Sequence, residues 1–260
     1  MGFFFFDESI HSAAGFSLGT FVYSENDLNA PVAEALIRGG LLPRSDEFKS
    51  SSRMDRCQAQ ARVRDELKSV IQKHCRLGVV VTPANPRRSL GYEAVNGLEK
   101  IVSCNTFDTA KHEVFFDQGI FDHAASGQRT FKREPWNESC TFHFEQDSIQ
   151  VLGLQVADLA AHICAIMLLS ALGKHTKKVK AGDNSGYDPD MDIELDFELW
   201  ACVRYNFFAA APPPVAAWKS ELDYAVDVAS RGLHIAHACS PELRRAAQSR
   251  FGNMYLGCIH

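Results

Sequence analysis

The chain opens on an apolar run that ends at acids: Phe3 to Phe6 lead directly into Asp7, Glu8 and Ser9. No polar side chain interrupts residues 2–6, the pattern of a strand covered by helices on both faces. Phe16 to Tyr23, "FSLGTFVY", reads as a second strand, joined to the first through Ala13, Ala14 and Gly15. So short a connection of small residues predicts an antiparallel hairpin. A polar stretch, with room for a short further strand, leads to "RSDEFKSSSRMD" at 44–55. From about Met54 to Cys75 the period changes. Val63, Leu67, Val70 and Ile71 recur at helical spacing among charged residues, as an amphipathic surface helix requires. "RLGVVVTP" (76–83) predicts another buried strand, stopped by Pro83, and Leu90 to Val102 a second helix. "HEVFFDQG" (112–119) repeats the opening arrangement, an apolar strand that ends at an acid. "CTFHFEQDS" (140–148) alternates as a strand does. Leu152 to Leu172 is the most apolar helical stretch of the chain.

Strands alternating with helices in this order predict an α/β fold with a mixed sheet. The expected division is a core over residues 1–173 and a carboxy-terminal extension over 174–260, helical and packed on the core. The extension begins polar, with "KHTKKVK" and "AGDNSGYDP", and continues through "AAAPPPV" to the basic segment "ELRRAAQSRFGNMYLGCIH". With 46% hydrophobic residues in 260, the chain can bury a substantial core. The apolar run Ile163 to Leu172, broken by Ser170, is too short to span a bilayer, so no membrane partner is expected. Eight cysteines (57, 75, 104, 140, 164, 202, 239 and 258) show no C-x-x-C pair, and no signal peptide precedes them; free thiols in a reducing cytoplasm are the expectation. A net charge of −5 argues against overall attraction to nucleic acid, so such a partner must use local basic clusters. Three are available: Arg87 with Arg88, Lys174 to Lys180, and Arg244, Arg245 and Arg250. Charge runs are ordinarily solvated faces, and these become a substrate track only if they flank a site.

The acids change the picture most. Side chains at the carboxyl edge of an open α/β sheet converge on the crevice where such folds bind ligands. Asp7 and Asp117 are expected to end two strands there. A lone strand-end acid is ordinarily a turn or cap residue, but clustered carboxylates repel one another unless a cation or a proton intervenes, and hard oxygen donors select Mg²⁺ or Mn²⁺. In "GLQVADLAAHI", Gln155, Asp158 and His162 share one face of an otherwise apolar helix, where a buried carboxylate is costly without a partner. Taken alone, His162 also reads as a solvated position.

"FFFFDES" at the start, "DEFKSSS" at 46–52, "VFFDQG" at 114–119 and "DSIQVLGLQVADLAAHI" at 147–163 together resemble the domain-of-unknown-function-3800 family of bacterial and phage proteins. That family is marked by an amino-terminal D-E-S and a later Q-x-x-D and is held to share the ribonuclease H-like fold. The resemblance covers roughly residues 2–170. It implies a ribonuclease H-like mixed sheet and a nuclease that hydrolyses DNA or RNA with Mg²⁺ or Mn²⁺, in a setting of phage or bacterial defence. By the same resemblance, Asp7, Glu47, Asp117 and Asp158 would be catalytic metal ligands. Lys49 would meet a phosphate, and Glu8, Gln155 and His162 would orient the ligands or the substrate. Asp147 and Ser148 would cap the approach to the last helix. The strand after the first helix, "LGVVVTP", carries no acid, so the third ligand is drawn from Asp117, after the second helix.

The remaining constellations are weaker. Ser9 has no glycine elbow and no assignable histidine, against a serine hydrolase. Cys258, His260 and the other histidines show no zinc spacing. "YDPDMDIELDFELW" lacks the glycine of a calcium loop; Met191, Ile193, Leu195 and Phe197 alternate with acids as in a half-buried strand. No G-x-G-x-x-G or G-K-[ST] cradle is present. One alternative to a nuclease is an inactive module on the same fold that binds nucleic acid or a partner protein, and another is a hydrolase of nucleotides or cofactor phosphates using the same metals; a homodimer or partner protein is also an expected assembly.

Overall fold

The structure is a computed structural model that describes all residues except 85–86, 132–134, 183–185, 213, 215–223 and 258–260. Cys258 and His260 lie outside the described residues, as do the side chains of Arg87 and Arg88.

The opening run forms strand β1 (Gly2–His11), which turns through Ser12–Ala14 and Gly15 into β2 (Phe16–Ser24). Gly15 sits at φ +84°, the left-handed conformation that glycine adopts without strain, and so closes the hairpin. Helices α1 (Asn29–Gly39) and α2 (Gln58–His74) follow, then β3 (Arg76–Pro83), α3 (Arg87–Cys104), β4 (His112–Asp117), α4 (Ala124–Phe131), β5 (Cys140–Gln146) and α5 (Gly153–Ala171). The extension adds β6 (Lys178–Lys180), β7 (Asp192–Glu194), α6 (Leu195–Val203), β8 (Ala225–Asp227), β9 (Leu233–Ile235), α7 (Pro241–Phe251) and β10 (Asn253–Tyr255).

Six strands form the main sheet in the order β5-β4-β1-β2-β3-β9. β1, β2 and β3 are an antiparallel meander, while β4 runs parallel to β1, β5 to β4 and β9 to β3. The expected α/β class, a mixed sheet flanked by helices, is what is found. The extension is not only helical, because β9 joins the sheet, and α6 and α7 pack against α5.

The sheet divides two cores. Phe5, with partly buried Phe3, faces one built with α1, α2, α5, α6 and α7; Phe4 and Phe6 face the other, built with α3 and aromatic residues of β4 and β5. Alternate phenylalanines therefore enter different cores, which is why the run is apolar at either parity. α5 is long and apolar enough to cross a membrane, but 72% of that stretch is buried inside the protein. A Cβ on Gly153 would stand 2.4 Å from the Phe5 ring, so glycine lets the start of α5 close onto β1.

Three local expectations are corrected. β1 does not end at Asp7 but continues to His11, because β2 pairs with it up to His11↔Phe16. Where a short strand was expected after β2, α1 forms instead. The alternation over 191–197 yields only β7, and from Leu195 the chain is α6, since Leu199, Trp200, Cys202 and Val203 bury a helical face.

Candidate metal and phosphodiester site

Asp7 lies on the α5 side of β1, in phase with Phe3 and Phe5. Because Phe6 pairs with Phe116, Asp117 at the end of β4 stands beside Asp7 on the neighbouring parallel strand, with Phe115 fixing the same parity. The acid-free β3 lies two strands away from β1, beyond β2. The strand that supplies the neighbouring acid is thus β4, which follows the third helix, because α1 adds a helix that the sequence did not predict.

α5 brings the third carboxylate. From Gly153, which touches Phe5, five helical residues advance along β1 by about as much as two strand residues, roughly 7 Å. Asp158 accordingly comes close enough for its charge to act on Asp7. Asp7, Asp117 and Asp158 repel one another: the charges of Asp117, Glu8 and Asp158 all act on Asp7, and that of Asp158 on Asp117.

Burial dominates their protonation. Asp7 is only 8% exposed, and desolvation first, then the neighbouring acids, hold its carboxyl well above the usual range against a 2.7 Å bond from the Glu8 N–H. Desolvation also pushes Asp117 up to about 6, although Lys49 and the Gln118 backbone oppose it. Burial raises Asp158, opposed by Ser50, whose hydroxyl donates to Oδ1 at 2.5 Å and whose N–H donates to Oδ2 at 2.7 Å.

Glu47 and Lys49 arrive on the irregular segment between α1 and α2, and α5 fixes the path of that segment. Gln155, fully buried, accepts from the Phe48 N–H at 2.9 Å and donates to the Ser148 carbonyl at 2.9 Å. One turn on, Asp158 takes the Ser50 N–H. The Q-x-x-D spacing therefore reads alternate backbone amides, 48 and 50, and leaves the odd-numbered side chains free to project elsewhere. Gln60 of α2 completes the clamp, donating to the Glu47 carbonyl at 2.8 Å and accepting from the Lys49 N–H at 3.1 Å. Lys49 Nζ lies 2.6 Å from Glu47 Oε1, which also accepts from the Ser148 hydroxyl. Burial works against the Lys49 charge, but Glu47, Asp117 and Asp158 outweigh it and raise the pKa of the ammonium.

Glu8 points away from Asp7, in phase with Phe4 and Phe6. Asp147 organises the turn before α5 by accepting from the Ile149 N–H, but the helix start at Leu152 has no side-chain cap, and Ser148 binds Glu47 instead of capping. Ser9 does have a histidine, His11, at 3.0 Å. Of the basic clusters, Arg250 is engaged by Asp196 and Arg244 by the carbonyls of Ala236 and His237, whereas the segment from Lys174 lies against the β1–β2 turn through Ala14.

Ser50, Gln60 and Arg64 were not among the expected site residues. Arg64 donates to the Ser50 carbonyl at 3.0 Å and feels Asp158. The serine run "KSSS" is the one sequence sign that this segment needs side-chain hydroxyls beside an acid.

The donor set, carboxylates crowded by burial with one lysine to offset them, suits a hard divalent cation. The present side-chain positions do not assemble one: among the described residues, no three Asp, Glu, His or Cys groups are arranged to hold a metal ion.

No family model matches the chain, and no curated protein matches it. A chain in the solved structure of the complex of PCNA with RNase HII from Archaeoglobus fulgidus is similar over 71% of this chain and 84% of that one, at 13% identity and a TM-score of 0.35. The fold class rests on strand order and pairing.

Proposed function

We propose that the chain is a divalent-metal-dependent nuclease, hydrolysing phosphodiester bonds of DNA or RNA. The observation that supports this reading best is the gathering of Asp7, Asp117 and Asp158 on one face of the sheet. All three carboxyls are raised by burial, Lys49 acts on both Asp117 and Asp158, and Arg64 also acts on Asp158. A protein bears the cost of desolvating three acids together when a cation is to join them. Asp7, Glu47, Asp117 and Asp158 would hold Mg²⁺ or Mn²⁺, which when bound supplies an activated water and stabilises the leaving oxygen. Lys49, now paired with Glu47, would be the residue to offer an ammonium to a phosphate oxygen. Gln155 and Ser50 keep that segment aligned. The resemblance to the domain-of-unknown-function-3800 family, and the setting in phage or bacterial defence that it carries, belong to this proposal.

A second reading, a binding module that keeps the fold without cleaving, is favoured by one observation. Both Asp158 oxygens are taken by Ser50, and Glu47 is taken by Lys49 and Ser148. The two readings separate in one assay, in which the purified chain is given single-stranded DNA, duplex DNA and RNA with Mg²⁺, Mn²⁺ or EDTA. The nuclease cleaves at least one polymer with metal and none in EDTA. Asp7→Asn and Asp158→Asn lower the rate by at least about a hundredfold, the scale of losing transition-state charge stabilisation, while still binding the polymer. Cleavage that survives either substitution would sink the proposal.

A further inference from the structure

One turn beyond Asp158, α5 presents His162 into surroundings of another character. After burial itself, the groups that act on this partly buried imidazole are basic side chains: Arg64 from α2, His11 from β1, and His175 and Lys177 from the segment after α5. Several contacts fix the arrangement. Ser9 and His11 follow Asp7 on the same face of β1 and lie 3.0 Å apart, Oγ to Nε2. Arg64 is held at the site by its bond to the Ser50 carbonyl, and Ser50 in turn holds Asp158. Its Nε is buried with no hydrogen-bond partner among the described residues. Lys174 donates to the Ala14 carbonyl at 3.1 Å, which keeps the segment carrying His175 and Lys177 against the end of the hairpin.

Arg64 and Lys177 set two lasting positive charges beside imidazoles that burial keeps in the neutral form, a set of donors that suits an anion. Here the anion would meet guanidinium, ammonium, imidazole and hydroxyl donors one helical turn from the acidic Asp158. Four residues of helix separate Asp158 from His162 by about 6 Å, comparable with the step between successive phosphates of an extended strand. We infer that Arg64, His162, His11 and Lys177 form a phosphate subsite, holding the backbone phosphate adjacent to the one that lies over the acids. The inference deepens the nuclease reading and rests on it for the identity of the polymer. It also sets the direction of the strand's path, along α5 from Asp158 towards the β1–β2 turn.

The test needs neither metal nor cleavage, so it stays readable if no nuclease activity is found. Histidine ring signals are followed by NMR in EDTA at constant ionic strength, first with inorganic phosphate and then with a five-residue single-stranded DNA. His11 and His162 should shift and saturate, the DNA acting at lower concentration. His143 and His234, engaged by Glu113 and Glu93 at 2.5 and 2.6 Å, should stay still. Arg64→Gln should raise the midpoint about tenfold, the loss of one charge-assisted bond. Lys177→Gln, at an exposed position that cannot compromise folding, should raise it several-fold. The subsite is disproved if His11 and His162 do not move, if all four histidines move alike, or if neither variant changes the midpoint. A response to phosphate but not to DNA makes it a free-anion site and overturns the backbone assignment.

Discussion

Burial pushes the His162 imidazole down to about 4, and the positive groups around it act in the same direction. Between that value and the ordinary 6.5, the unfolded chain binds a proton that the folded chain refuses. The stability His162 permits is therefore complete above pH 6.5 and lost as pH falls towards 4. Asp7, Asp117 and Asp158 work in the opposite sense. Their raised carboxyls favour folding at low pH, and that contribution fades as pH climbs through their folded values, about 6 for Asp117. The parent profile is the sum of the two. A comparison of His162→Gln with the parent isolates the histidine: from pH 7 to pH 4 the variant should lose about 2 kcal/mol less in urea unfolding, after discounting for partial exposure. Parallel profiles would contradict the assignment. At this scale the neighbouring positions of Asp7 and Asp117 were legible in the sequence, because each follows an apolar strand run of the same parity. Ser50, Gln60 and Arg64 were not, since their parts depend on the path of an irregular segment that no periodicity describes.

Among the elements, α5 does the most to shape the site. It meets β1 at Gly153, clamps the segment after α1 through Gln155 and Asp158, and continues to His162. Gln155→Leu keeps the volume but leaves the Phe48 N–H and the Ser148 carbonyl unpaired in a dry place. A loss of about 2–3 kcal/mol is expected, read as a lower urea midpoint; a change under about 0.5 kcal/mol would mean the clamp is idle. The periods of α2 and α5 and the runs of β1 to β5 could be read in advance because each buries a regular face. α1 could not, since "NAPVAEALIRG" follows a polar stretch and carries proline and glycine. α6 was hidden for another reason: over 191–197 acids alternate with apolar residues at strand spacing, and only the contacts of Leu199, Trp200, Cys202 and Val203 decide for a helix.

For the molecule as a whole, the extension completes the core. β9 pairs with β3 at Val79↔Leu233 to Val81↔Ile235, and the Asn206 side chain donates to the carbonyls of Ile71 and Cys75 at 2.9 Å each. A chain stopped at residue 173 should therefore lose its cooperative thermal transition and bind a hydrophobic dye; a sharp melt from that fragment would show the extension to be dispensable. Pairing of β9 with a strand more than a hundred residues earlier was beyond the sequence, because three residues carry too little pattern to name a partner. The mounting of the acids has one more implication. Asp7 and Asp117 ride on the sheet and Asp158 on its longest helix, whereas Glu47 and Lys49 ride on irregular chain between α1 and α2. That strip is held by hydrogen bonds instead of a regular element, so it is where the site adjusts most readily to a larger or smaller guest. Inherited changes there could retune what the crevice accepts while the framework stays as it is.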